Sequence, residues 1–172
     1  GGQSRYRIAN NYGTAIFQGD MVMHVTGGTV EIHADGGTVP IVGVFNGCRY
    51  TDPSTGKETF SNFYPASTAA ADIEAFIIDD PMVVFEIQAD DTFPVADLHG
   101  NFDIVYTSAG STTTGLAGSE LDVTTGGTGT GLPLRAIDIS QDPNNSDVAT
   151  ANTNVKVVIC NHIFGLKGVG LA

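Results

Sequence analysis

The chain predicts an all-β fold, an antiparallel barrel or sandwich with extended terminal arms and one long Thr/Gly-rich loop. Three observations point there. Gly and Thr are abundant (22 and 19 residues), whereas Leu, Glu, Lys and Arg, which populate surface helices, are scarce. Short runs alternate apolar and polar residues with period two. Turn residues punctuate these runs, and sustained helical periodicity is missing. At 172 residues the chain is the size of one domain with a core of its own.

Residues 1–13 (GGQSRYRIANNYG) have no period and read as an N-terminal arm; they hold two of the four arginines, Arg5 and Arg7, around Tyr6. A hairpin follows, Asp20–Val25 and Thr29–His33 around Gly27-Gly28. Pairing Thr26 with Thr29 puts Met21, Met23, Val25, Val30 and Ile32 on a core face, and Asp20, His24, Glu31 and His33 on a wet one. Val39–Asp52 is a long strand, with bends expected at Gly43 and Gly47. Asp52-Pro-Ser-Thr-Gly56 is a turn signal, because Pro presets a negative φ and Gly accepts a positive one. Lys57–Tyr64 returns as an aromatic-rich hairpin arm.

Strands are also expected over Ile73–Ile78 and Met82–Gln88, separated by Asp79-Asp80-Pro81. A helical turn is expected within Pro94–Gly100, then strands over Phe102–Thr107, Leu132–Ile139 and Val155–Phe164. That makes about nine strands. From Thr107 to Gly131, Thr, Ser and Gly dominate, and Glu120–Val123 is the single strand-like island; a long surface loop or irregular hairpin is expected, the alternative being an extended segment ordered by a partner. The domain plan is an arm over 1–13, one β domain over 14–164 containing the 107–131 loop, and a Gly-spaced apolar tail over 165–172.

Charge excludes some functions. A net charge of -12 opposes binding to a phosphate backbone, which needs Lys and Arg to displace counterions. No apolar run is long enough for a membrane-spanning helix, and none resembles a signal peptide. Cys48 and Cys160 lack C-x-x-C spacing and read as small buried hydrophobes.

Catalytic signatures are missing: there is no G-x-S-x-G elbow, P-loop, H-E-x-x-H or dinucleotide fingerprint. Gly126–Gly131 has the wrong spacing for a phosphate cradle and no following helix. In the hairpin register above, His24 faces Glu31, with His33 diagonal to them, and His plus carboxylate suits zinc. A charged solvent face gives the same pattern and is the reading preferred, so no metal or other cofactor is expected. Asp142–Asp147 lacks the Gly and terminal Glu of a calcium loop and reads as a polar turn. The pairs Asp79-Asp80 and Asp90-Asp91 sit at strand ends, where Asp is commonplace, and no enzyme activity is expected.

Several stretches carry a resemblance: Val44–Lys57, Phe60–Ala66, Ala75–Asp90, Leu132–Ser140, and Val155–Phe164 with Asn161-His162. Together they span most of residues 10–165 and resemble small structural proteins of tailed bacteriophages, notably marine ones, that decorate or cement the head shell. The resemblance implies a virion protein on the outer surface of the capsid head. Such a protein binds the expanded shell, typically as a homotrimer, and bridges capsomers against the pressure of packaged DNA. The implied partner is the major capsid protein, with no nucleic acid, membrane or small-molecule substrate.

Within that expectation two contact regions stand out. Arg5, Tyr6 and Arg7 combine cation and ring, a pairing enriched at interface hot spots. Phe164, Leu166, Val169 and Leu171 could lie across a neighbour or fold back on the domain. Two other readings are another virion component, such as a head-fibre base or tail protein, and a carbohydrate-binding β-sandwich module. The module reading is weakened by the absence of Trp.

Overall fold

A computed structural model describes residues 2–33 and 36–165. Eleven strands and one short 3-10 helix (Val95–Asp97) make up its regular structure, and the strands form two antiparallel sheets. The fold is therefore all-β and sandwich-like, as the composition predicts.

The first sheet contains β1 (Ser4–Arg7), β2 (Met21–His24), β3 (Val30–Ile32), β4 (Ile41–Thr51), β5 (Glu58–Ser61) and β6 (Glu74–Ile78). Its order is β1-β6-β4-β2-β3, with β5 pairing the far end of β4. The second sheet contains β7 (Phe85–Gln88), β8 (Asn101–Tyr106), β9 (Ser119–Gly127), β10 (Leu134–Ile139) and β11 (Asn154–Ile159), in the order β7-β11-β10-β8-β9. A parallel bridge from Ala89 to Leu121 brings the two edges of this sheet together at one point.

Two hydrophobic clusters result. One joins the inward residues of the second sheet, among them Phe102, Ile104, Leu121, Leu134, Val155 and Val157, to Met21, Ile41 and Val44 of the first sheet. It is the interface between the sheets. The other lies on the opposite face of the first sheet, where Val22, Val30, Val42, Phe45, Ala75 and Ile77 meet Ile8, Ile16, Tyr64 and Ile73 from flanking segments. The sheet curls around this second cluster, so that Tyr6 of β1 meets His24 of β2 edge-on at 5.5 Å.

β4 is thus buried on both faces along its first half, which explains its nearly continuous apolar run. Two irregularities let it serve both cores. Pairing with β2 shifts opposite Gly43, and pairing with β6 shifts between Phe45 and Cys48, around Gly47. Both expected bends are present. Gly43 is required by contact, since a Cβ there would lie 2.2 Å from the Ile78 carbonyl oxygen. The Asp52–Gly56 turn also forms as expected: the Asp52 carboxylate accepts from the Ser54 and Thr55 amides at 2.7 and 2.9 Å, and Gly56 has φ 66°.

Four expectations are corrected. The hairpin register differs by one residue: Val22 pairs with Ile32, Met23 with Glu31 and His24 with Val30. The loop has three residues, Thr26 to Gly28, with Gly28 at φ 75°, so the extra residue displaces the predicted pairing. Neither hairpin face is simply wet, because the sheet is covered on both sides here: Met21 and Val22 belong to different clusters, and His33 is fully buried. The 1–13 arm is not unpaired, since β1 pairs with β6 from Ser4↔Ile77 to Arg7↔Glu74. The 107–131 segment forms the irregular hairpin, not a plain surface loop, and its strand-like island is longer than expected: β9 has nine residues and pairs with β8. These two strands raise the expected nine to eleven. Of the tail, residues 166–172 lie outside the described residues.

Candidate functional site

One face of the first sheet gathers most of the arginine. Strand register fixes which side chains share it. Arg5 pairs with Phe76 and Arg7 with Glu74 on β1 and β6; Arg49 of β4 pairs with both Glu74 and Phe60. Directly opposed residues in antiparallel strands point the same way, and so do residues two apart. Arg5, Arg7, Arg49, Glu58, Phe60, Glu74 and Phe76 therefore lie on one face, while Tyr6, Cys48, Tyr50, Ala75 and Ile77 turn to the second cluster.

The geometry of this face is set by Arg49. Its Nε donates to Glu74 at 2.8 Å and its Nη1 to Glu58 at 2.5 Å. The Arg49 guanidinium in turn holds the Glu74 carboxyl below its usual range, by hydrogen bond and charge. Arg5 approaches Glu74 at 3.6 Å with its side chain 69% exposed. Among the described residues Arg7 makes no ion pair. The rings of Phe60 and Phe76 stack with centroids 6.5 Å apart and planes within 4°. Phe60 remains 67% exposed. A cleft of about 170 Å³ opens on the arginine side of this face, lined by Arg7, Arg49, Ala71, Asp72, Ile73 and Glu74. Asp72 is tied down there, accepting from the Thr51 amide and hydroxyl at 3.1 and 2.7 Å.

Tyr6 differs from its neighbours. It packs inward and its hydroxyl donates to Asp79 at 2.7 Å; burial and that carboxylate push its pKa well up. Tyr6 is thus an anchor of β1, and Arg5 and Arg7 are the residues β1 presents outward. Of the second expected region, Phe164 is described: its ring is 55% exposed, its centroid lies 5.8 Å from that of His162, and its amide donates to His162 Nδ1. Leu166, Val169 and Leu171 lie outside the described residues. Phe164 sits near the start of β4, where Ile163 bonds the Ile41 carbonyl. It is separated along that strand from the arginine-bearing end.

Sequence reasoning missed Arg49, Phe60 and Phe76 as companions of Arg5 and Arg7. A signal was present in Glu58-Thr-Phe60 and Glu74-Ala-Phe76, two charged-x-aromatic steps. Each places its polar residue and its ring on one side of a strand. Only the strand order brings them together.

The histidine and carboxylate candidates separate. His24 points to the second cluster side opposite Val30, whereas Glu31 lies opposite Met23. His33 Nε2 donates to the Val39 carbonyl at 2.8 Å from a fully buried position. No group of three ligating side chains meets among the described residues. The acidic pairs serve turns and edges: Asp80 accepts from the Met82 amide, Asp90 from Val123 and Asp91 from Thr92. Asp142 and Asp147 likewise accept from the amides of Asn144 and Ala149, forming the polar turns expected. Cys48 is buried and free, its thiol pushed up to about 12 by desolvation; Cys160 is also free.

A second concavity, about 270 Å³, lies between the sheets near Gln18, Met21, Val44, Phe85 and Glu86. Its carboxylate is already engaged, since Glu86 accepts from Ser140 Oγ and Asn154 Nδ2 at 2.5 and 3.1 Å.

Comparison of the chain with family models, curated proteins and solved structures finds no match. The site's own chemistry therefore carries the functional reading.

Proposed function

We propose that this chain is a virion structural protein that decorates the outer surface of a tailed-phage head and cements neighbouring capsomers. Its work in this reading is binding, not turnover. The observation that carries it, beside the sequence resemblance, is an arginine-and-ring face on an otherwise strongly acidic β domain. Arg and aromatic residues concentrate binding energy at protein interfaces. Many copies, each with a modest interface, would strengthen a shell collectively. The partner in this proposal is the major capsid protein, the assembly a homotrimer, and the contacts include Arg5, Arg7 and Phe164. Tyr6 positions the strand that bears the arginines.

The test is co-sedimentation with expanded capsids stripped of the protein, followed by heat or osmotic challenge. Saturable binding at a fixed ratio to capsid protein, with restored resistance to rupture, is expected. Capsids that pellet without the protein and rupture equally with it present would end the proposal. The flat Phe60–Phe76 stack supports a second reading, a carbohydrate-binding module, because sugar faces stack on rings. Binding on a glycan array that Phe60→Ser abolishes would favour it over the capsid role.

A further inference from the structure

The outward face of the first sheet changes character along its length. At the β2 end, Met21, Ile41 and Val44 are buried against the second sheet. Beyond Ile78 the second sheet no longer covers it, and the face continues as Phe76, Glu74, Arg49, Arg5, Arg7 and Phe60. We infer that this overhang is a docking face for an acidic polypeptide surface. In that contact a partner carboxylate meets Arg7, and an apolar or aromatic partner side chain covers the Phe60–Phe76 stack. The inference rests on the decoration reading and names the surface chemistry the capsid would offer there.

Charge complementarity selects this occupant. The chain carries 19 acidic against 7 basic residues, yet three of its four arginines gather on this face, and its three carboxylates are already engaged within the chain, Glu58 and Glu74 by Arg49 and Asp72 by Thr51. Arg49 spends its donors on Glu58 and Glu74, which fixes it as a rigid floor. Arg7, without an ion pair among the described residues, keeps its planar donor fork for a partner carboxylate. Exposed ion pairs alone contribute little, so burial of the ring stack supplies most of the contact and the arginines its register. Nucleic acid is disfavoured by the net charge.

Two variants with equal charge change separate the possibilities: Arg7→Glu on the face, and Lys156→Glu on the second sheet, where Lys156 pairs with Asp138. Phe60→Ser tests the rings without altering charge. Circular dichroism and thermal melts first establish that each variant folds. On stripped expanded capsids, Arg7→Glu and Phe60→Ser should each weaken binding by about tenfold or more, and Lys156→Glu by less than about threefold. Capsid binding by wild type that both face variants retain would overturn the docking face while leaving the decoration role standing. The second probe is a synthetic Asp/Glu-rich peptide with a central Phe, followed by fluorescence anisotropy at low and moderate salt. If wild type binds it and Arg7→Glu does not, the face stands even where capsids are not bound and the decoration role falls. Sedimentation showing self-association that Arg7→Glu abolishes would assign the face to a second copy and overturn the acidic-partner inference.

Discussion

The two ends of one sheet face do opposite things. Around Met21, Ile41 and Val44 the outward face of the first sheet is dry and packed against the second sheet. One or two residue pairs further on, the same face carries Arg5, Arg7, Arg49 and the exposed ring of Phe60. The strands run through both ends, so a break in the sheet does not cause the difference. What differs is coverage: the second sheet spans only part of the first, and side-chain chemistry follows that boundary. β4 crosses it, and the bulge at Gly47 re-aims its far half so that Arg49 faces out while Cys48 and Tyr50 face in.

The largest contrast is between Phe45 and Phe60, two rings on neighbouring strands. Phe45 is fully buried in the second cluster, and Phe45→Ala should cost about 3–5 kcal/mol in denaturant unfolding through lost burial and the cavity left behind. Phe60→Ser should change stability by about 0.5 kcal/mol or less, because the ring is mostly in water already. Equal losses at the two positions would break the division between core and docking end.

Asp20 sharpens the same contrast electrostatically. It is fully buried where the covered end begins, with one carboxylate oxygen accepting the Phe17 amide at 2.7 Å and the other, Oδ1, unpartnered. Desolvation raises its pKa from 3.8 to about 6. A raised folded-state pKa means that the ionised form opposes folding. The cost is absent below the unfolded pKa, grows between about pH 4 and 6, and is fully present at pH 7. Asp20→Asn should therefore match wild type at the acid end and exceed it at pH 7 by up to about 3 kcal/mol. Urea titrations at several pH values would show the two curves diverging through that window. Glu74, on the exposed end, is shifted the other way, so its ion pairs weaken as pH falls through its lowered pKa.

Gly43 marks the crossing between the two ends. Gly43→Ala would press a methyl into the Ile78 carbonyl and should cost about 1–3 kcal/mol, whereas Gly13→Ala, with nothing within 4 Å, should be close to neutral. Thermal melts of the pair check this directly.

How much the sequence reveals follows the same physics. Strands buried on one or both faces were legible, because burial imposes alternation or an apolar run; β4, β6 and β8 lie where their patterns put them, and β11 starts as expected but ends at Ile159, short of Phe164. The strands missed were the edges. In β1 a single inward ring, Tyr6, is flanked by exposed arginines, and charged edges discourage unwanted pairing while hiding the period. In β9 Thr and Gly dilute the alternation, leaving Leu121 as its one fully buried residue. The hairpin register was lost for a different reason: Gly27-Gly28 permits both a two-residue and a three-residue loop, and one extra residue reverses a strand's faces. Of the arginine-and-ring face, Arg5 and Arg7 were legible as clustered cations. Arg49 and Phe60 share one hairpin, but their meeting with Phe76 and with Arg5 and Arg7 was not legible, because it depends on β6 and β1 joining β4 across long connections.

The most direct test of the division between a covered end and the proposed docking end is oxidative footprinting of side chains with and without stripped expanded capsids. Binding should reduce the reactivity of Phe60 and Phe76, while Met82, exposed at 82% on the connection between the sheets, stays as reactive as before. Protection of Met82 with Phe60 and Phe76 unchanged would contradict it.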